Sequence, residues 1–294
     1  MKDFFRLPLF FLALSPSFWY NPLKQKCRTD RKGRKTVKRI SALLLAALLL
    51  LLPSCGKGEP VIREINGKNY ELTFEDDFDG TKLNKKKWSL CPEWQRQDIG
   101  GYWDDDMVSL RDGNLVLTAS FREDGTPISG AVRSIDKFTQ KGGYFEARIR
   151  VQKASGFWGA FWLMDPNMKN EPGNGAEDAA EIDIMESFDV YSGGINHAIH
   201  WDGYNEYHKS ATHAVYDPAY YEGFHTYALE WTDSEYIFFI DGAETWRTSS
   251  PGMCQNELYI KLTTEFGSWA APLLRDQYPD EFLVDYVRVY KLAE

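Results

Sequence analysis

Three acidic residues fall within six positions in the run Glu181-Ile182-Asp183-Ile184-Met185-Glu186. Like charges crowded onto one short segment repel, so such a cluster is costly unless it has a task or a cation partner. Two carboxyl groups about 5–5.5 Å apart are what glycoside hydrolysis with retention needs: one ionised to attack the anomeric carbon, one protonated to release the leaving oxygen. A third carboxylate beside them raises the proton affinity of its neighbours, because adjacent like charges do not ionise together cheaply. On a regular strand Glu181 and Asp183 share a face and Glu186 points the other way. One β-bulge at Ile184 or Met185 would bring Glu186 back to the face of the first two, and bulges beside active sites re-aim side chains in this way. The alternative is a plain polar strand face wetted by solvent, and spacing alone leaves it open.

The elements around this segment read as strands. NLVLTASF (114–121), GYFEARIRV (143–151), GAFWLM (159–164), HTYALEWT (225–232), YIFFIDG (236–242), LYIKLTTEF (258–266) and FLVDYVRVY (282–290) are short and rich in β-branched and aromatic residues. Gly, Asn, Asp and Pro punctuate them. No amphipathic helix of any length interrupts them. Alternation on so many strands implies an all-β, two-sheet sandwich of antiparallel strands, of the jelly-roll kind. A Gly/Pro-rich loop from Pro166 to Ala180 delivers the chain into the acidic run, and long loops in such a place tend to be functional. The 294 residues are enough to bury a large core without disulfide staples. No internal repeat divides them, and residues 63–294 read as a single catalytic domain.

The charge is split unevenly. Residues 1–54 hold eleven Lys or Arg and two Asp or Glu; the remainder holds 23 basic and 41 acidic residues, a formal net charge of −18. Such a body repels nucleic acid and anionic membrane surfaces, and it disfavours a densely sulfated glycan unless local basic groups compensate. Residues 24–39 form a dense basic run, Ile40 to Leu52 are apolar, and Pro53-Ser54-Cys55 follows. This is the order of a secretory signal. A run of thirteen residues is too short to cross a bilayer comfortably. The signal resembles that of a bacterial lipoprotein, which makes Cys55 the lipidated first residue, residues 37–54 the signal and residues 55–62 the anchor and linker. The implied location is the bacterial cell envelope, with the membrane met through the lipid alone. Residues 1–36 fit no signal, and a start at Val37 would yield a complete one. Cys91 and Cys254 remain for the body; a disulfide is open to them in an oxidising compartment, and sequence does not decide it.

EIDIMES matches the E-x-D-x-x-E signature of glycoside hydrolase family 16 in its bulged, laminarinase- and agarase-like form. GYFEARIRV followed by GFWGAFWLM, then HTYALEWT, YIFFIDG and VDYVRVY, carry the resemblance across nearly the whole body. It implies a concave, concanavalin A-like jelly roll and retaining hydrolysis of internal β-linkages in a polysaccharide. It assigns Glu181 as nucleophile, Asp183 as the assisting carboxylate and Glu186 as acid/base. By the same resemblance Arg133 binds sugar in the cleft and Trp162, Trp158 and Trp103 are sugar platforms. His200 is a histidine near the acid/base. Many relatives hold a structural Ca²⁺ on the convex side, for which Asp285 matches the side-chain ligand and Asp77 and Gly113 the backbone ligands; such oxygen donors suit calcium. No cofactor is implied for catalysis, and the protein is expected to act as a monomer.

Two segments depart from the family pattern. EWQRQDIGGYWDDDMVSL stands where laminarinase-like members carry an Asn-x-Glu-x-Gln-like stretch, and TTEFGSW (263–269) replaces an Asn-rich run. Both are expected to line subsites, so the identity of the polymer stays open. A β-1,3- or mixed-linkage glucan is the first reading. A β-galactan, agar-like or from host glycans, is the second. A transglycosylase would use the same covalent intermediate. A non-catalytic carbohydrate-binding jelly roll would have no need of paired glutamates.

Overall fold

The computed structural model describes residues 61–92, 100–250 and 252–293. Cys55, the signal at 37–54 and the stretch before Val37 lie outside the described residues, as does part of the departing segment, 93–99. The described chain is a β-jelly roll of two stacked sheets, with four 3-10 turns and no α-helix among the described residues.

The eight-stranded sheet carries the acidic run. Its order is Lys209–Tyr216, Gly194–Trp201, Glu181–Asp189, Phe157–Met164, Leu258–Phe266, Ala131–Arg133 and Ser89–Leu90, with Thr139–Gln140 also on Leu258–Phe266. The opposing sheet is centred on Gly143–Arg150 and Asp280–Leu292, which pair with one another and outward with His225–Trp231, Lys68–Asp76 and Asn114–Phe121. The expected antiparallel pairing holds with one exception, the two residues Tyr102–Trp103, which run parallel to Pro127–Ser129. Parallel neighbours need a long connection, and the hairpin of Val108–Arg111 with Asn114–Phe121 lies between them in the chain. That hairpin turns on Asp112 (φ 53°) and Gly113 (φ 70°), the double positive φ of a tight two-residue turn.

Alternation decides which side chains enter the core. On Phe157–Met164, Phe161 and Leu163 face the opposing sheet while Trp158, Ala160, Trp162 and Met164 face away. On Leu258–Phe266, Leu258, Ile260 and Leu262 enter the core and Tyr259, Lys261, Thr263 and Glu265 take the other face. At Gly159 the sheets come so close that a Cβ would stand 2.1 Å from the Phe282 ring, which is why no side chain is tolerated there.

Ile182, Ile184 and Met185 all belong to the core. Two consecutive residues pointing inward is the mark of a bulge, since a regular strand alternates. The register confirms it on both sides: Phe161 and Trp162 face Met185 and Asp183, and Asp183 and Glu186 face Ala198 and Asn196. The bulge expected at Ile184 or Met185 is there, with Ile184 skipped against the Phe157–Met164 strand. Cys91 and Cys254 are both buried and both free, so the disulfide left open by the sequence is not formed.

Candidate active site

The bulge sets Glu181, Asp183 and Glu186 on one side of their strand, in a cleft of about 530 Å³ on the face turned away from the core. The same cleft receives Trp103, Arg133, Trp158 and Trp162, together with Tyr204, Lys261, Thr263 and Glu265. The expected carboxylates, the arginine and all three tryptophans therefore meet in one place.

Each carboxyl group has its own environment. Asp183 lies buried between its neighbours, 3.3 Å from His200 Nε2. Glu181 accepts a hydrogen bond from the Tyr204 hydroxyl. Glu186 accepts one from Asn196 Nδ2 at 3.0 Å. Burial, and then the charge of Asp183, push Glu181 up to about 7, against the opposing pull of His200, Tyr204 and Lys261. Glu186 is raised well above the usual carboxyl range, again by burial first and Asp183 second, with the Asn196 hydrogen bond opposing. Crowded carboxyl groups in a partly dry site hold at least one proton near neutrality.

His200 lies within reach of both glutamates, its charge acting on Glu181 and on Glu186. Cross-strand register sets it directly opposite Glu181, and Asn196 opposite Glu186. Burial works against a charged ring, but the hydrogen bond and charge of Asp183, with the charges of Glu181 and Glu186, outweigh it and take His200 up to about 9. Its Nδ1 meets His208 Nε2 at 2.8 Å; with both nitrogens of His200 protonated, Nδ1 donates to a neutral His208. Glu181, Asp183 and His200 bring ligand-type atoms within 4.8 Å of one another, a measure of how tightly this end of the site is drawn together.

Two of the cleft tryptophans have their polar edges tied. Trp162 Nε1 donates to Thr263 Oγ1 at 3.0 Å and Trp103 Nε1 to the Thr264 carbonyl at 3.2 Å. Lys261 Nζ stands 3.7 Å from the Trp162 ring centroid and 4.7 Å from that of Trp103, a cation held between two π faces. Register places Arg133 directly beside Lys261, and Arg133 Nε is buried with no hydrogen-bond partner. Sequence reasoning passed over Lys261, although alternation in LYIKLTTEF already separates it from the core positions. Tyr204 gave no signal at all: it sits beyond the end of Gly194–Trp201 on a loop with no periodicity.

Of the expected calcium ligands, the side chains of Asp285 and Asp77 are engaged in ion pairs. Asp285 pairs with Arg148 Nη1 at 2.7 Å and Asp77 with Arg288 Nη2 at 2.8 Å. The Asp285 carboxylate, expected as the side-chain ligand, thus already faces a guanidinium, whereas Asp77 is expected to offer its backbone carbonyl, which the Arg288 pair does not engage. Gly113 is explained by its turn.

Comparison with known proteins agrees with this geometry. The family described as "Beta-porphyranase A-D, GH16 domain" matches residues 70–292. A β-glucanase of Rhodothermus marinus is 26% identical over 259 residues, spanning 79% of this chain and 89% of that protein. A keratan-sulfate endo-1,4-beta-galactosidase of Sphingobacterium multivorum is 29% identical over 255 residues, 76% of this chain and 56% of that protein. Among solved structures, an endo-beta-1,3-glucanase from Pyrococcus furiosus superposes with a TM-score of 0.66 at 23% identity, covering 80% of this chain and 99% of its own. At that identity the likeness speaks for the fold.

Proposed function

Since the chain belongs to glycoside hydrolase family 16 and is an endo-acting glycosidase, we propose that residues 63–294 cut internal β-linkages of a polysaccharide with retention, Glu181 being the nucleophile and Glu186 the acid/base. The observation that carries this is the bulge, which sets Glu181, Asp183 and Glu186 together in an aromatic-walled cleft. In the first half-reaction Glu181, ionised, attacks the anomeric carbon, and Glu186 gives its proton to the departing oxygen. In the second, Glu186 takes a proton from water and the glycosyl-Glu181 ester is hydrolysed. Asp183, 3.3 Å from His200 Nε2, lies between the two, and its proximity opposes loss of the proton from Glu186. Trp103, Trp158 and Trp162 offer ring faces to sugar C–H faces.

A β-glucan is the first candidate substrate, supported by the similarity to the R. marinus β-glucanase over most of both chains. A β-galactan bearing an anionic substituent is the second, and a specific feature favours it. Arg133 and Lys261 stand side by side in the cleft, the local basic groups that an otherwise acidic body would need. The buried Arg133 Nε has no hydrogen-bond partner, and the matched porphyranase family and the keratan-sulfate galactosidase point the same way. Reducing-end release measured on laminarin, mixed-linkage glucan, agarose and porphyran, with wild type and Glu181→Gln, tests both readings. Release from none of them by the wild type would overturn the hydrolase assignment. We further propose attachment to the cell envelope through lipidated Cys55, which a Cys55→Ala variant appearing in the soluble fraction would support.

A further inference from the structure

An aromatic ledge continues the cleft beyond the carboxylates. Trp158 lines the cleft, and Trp269 meets it edge-on at 5.4 Å between ring centroids. Trp269 in turn stacks on Phe188 at 4.8 Å and 23°, and Phe188 meets Tyr216 edge-on at 6.0 Å. Trp269 is 45% exposed and Tyr216 60% exposed. Isolated exposed rings need no explanation, but linked ones on a soluble body mark a surface with a partner.

The placement says which partner. In sheet order Arg133 and Lys261 lie to one side of the Glu181–Asp189 strand, and Tyr216, on the edge strand Lys209–Tyr216, lies to the other. Phe188 sits two residues beyond Glu186, where the register shifts a second time between Ser187 and Asp189. Its ring tip lies 2.9 Å from where a Cβ on Gly194 would stand, and Gly194 is on the same face of its strand as Asn196, the partner of Glu186. Trp269 reaches the row from the loop after Leu258–Phe266, tied there by the Ala271 amide donating to the Phe188 carbonyl at 3.2 Å. A polymer threaded past the carboxylates therefore has the Trp103/Trp162 platforms on one side of the cut bond and this ledge on the other.

We propose that Trp269, Phe188 and Tyr216 form an outer subsite that holds distal sugar units of the same β-linked chain. This rests on the hydrolase reading for the identity of the polymer. The ledge selects for chain length: an oligosaccharide confined to the cleft does not reach it, whereas a longer chain lays a sugar face on Trp269. Tyr216, 60% exposed, adds a second face.

Binding separates the two claims, because it needs no turnover. In a Glu181→Gln background, affinity for tetra- and octasaccharides of the polymer cleaved best (or of laminarin, if none is cleaved) is measured calorimetrically with and without Trp269→Ala and Tyr216→Ala. The expected result is a loss of about 3- to 10-fold per ring for the octasaccharide and none for the tetrasaccharide. Trp269→Phe should restore part of the loss, which excludes misfolding as its cause. Equal affinities of wild-type and altered ledges for the octasaccharide would overturn the proposal. Intact binding of the octasaccharide with no cleavage by the Glu181-containing protein would instead overturn the hydrolase reading and leave the ledge standing.

Discussion

At the scale of single residues, the site works through proton affinities that pull apart. Glu181 must be ionised to attack, so the rate should fall as pH drops through its value of about 7. Glu186 must hold its proton, so the rate should fall again at higher pH, as the raised carboxyl finally ionises. The resulting bell belongs to the coupled pair rather than to either residue, and kcat/KM measured from pH 4 to 10 should place its centre on the alkaline side of 7. A flat profile would contradict the assignment of two carboxyl roles. Tyr204 enters here. Its hydroxyl donates to Glu181 and so favours the ionised form. Tyr204→Phe should raise the proton affinity of Glu181 and move the acid limb to higher pH, with a loss of about 3- to 10-fold at pH 6 and a smaller loss at pH 9. An acid limb that stays put would assign Tyr204 to sugar contact alone.

At the scale of elements, the bulged strand shows what alternation can and cannot reveal. Glu, Asp and Glu at i, i+2 and i+5 lie on one face only if one residue is skipped, and the pair Ile184-Met185, both apolar, marks the place where two neighbours can turn inward together. That much is legible, as is the two-sheet sandwich from the period-two runs. What holds the bulge is not. His197, wholly buried, sets its Nδ1 2.7 Å from the carbonyl of the skipped Ile184, and its Nε2 2.9 Å from Thr245 Oγ1. Burial lowers the ring to about 4, so it is neutral; Nδ1 must carry the hydrogen because a carbonyl only accepts, and Nε2 then accepts from Thr245. Thr245 is 48 residues away, and no local pattern announces a partner that comes from the opposing sheet. The same reason hid Arg148 behind Asp285, the expected side-chain calcium ligand. A carboxylate that could bind a cation looks identical in sequence whether or not a guanidinium from another strand reaches it. His197→Ala should free the Ile184 carbonyl, loosen the bulge and misplace Glu186, and a misplacement near 1 Å costs about 10²-fold in rate. The loss should appear in kcat with KM little changed, and amide exchange at 184–186 should quicken. Unaltered kcat would show that the strand pairs hold the bulge unaided.

At the scale of the whole molecule, stability and chemistry pull in different directions. The ion pair of Arg148 with Asp285, the expected side-chain ligand, predicts that a chelator leaves the melting temperature unchanged, whereas a bound structural calcium would make it fall. The active-site carboxyls predict something sharper. Glu181 is raised in the folded state to about 7 from an ordinary 4.5. A raised group supports the fold fully below the unfolded value and loses that support as pH climbs through the folded one, so the ionised Glu181 is a net burden on the folded state above pH 7. His200, raised to about 9, adds a loss of its own between 6.5 and 9. The fold should therefore be weakened in the alkaline range where the enzyme is most active. Glu181→Gln removes the charge while keeping the shape and an acceptor for Tyr204. At pH 8 the variant should melt above the wild type, on a scale of about 2–4 °C per kcal/mol for a domain of this size. The gap should close toward pH 4, where Glu181 is protonated in both folded and unfolded chains. A variant that melts lower than the wild type at pH 8 would mean that His200 and Lys261 stabilise the ionised carboxylate more than burial and Asp183 oppose it, and Glu181 would then titrate below the ordinary carboxyl range.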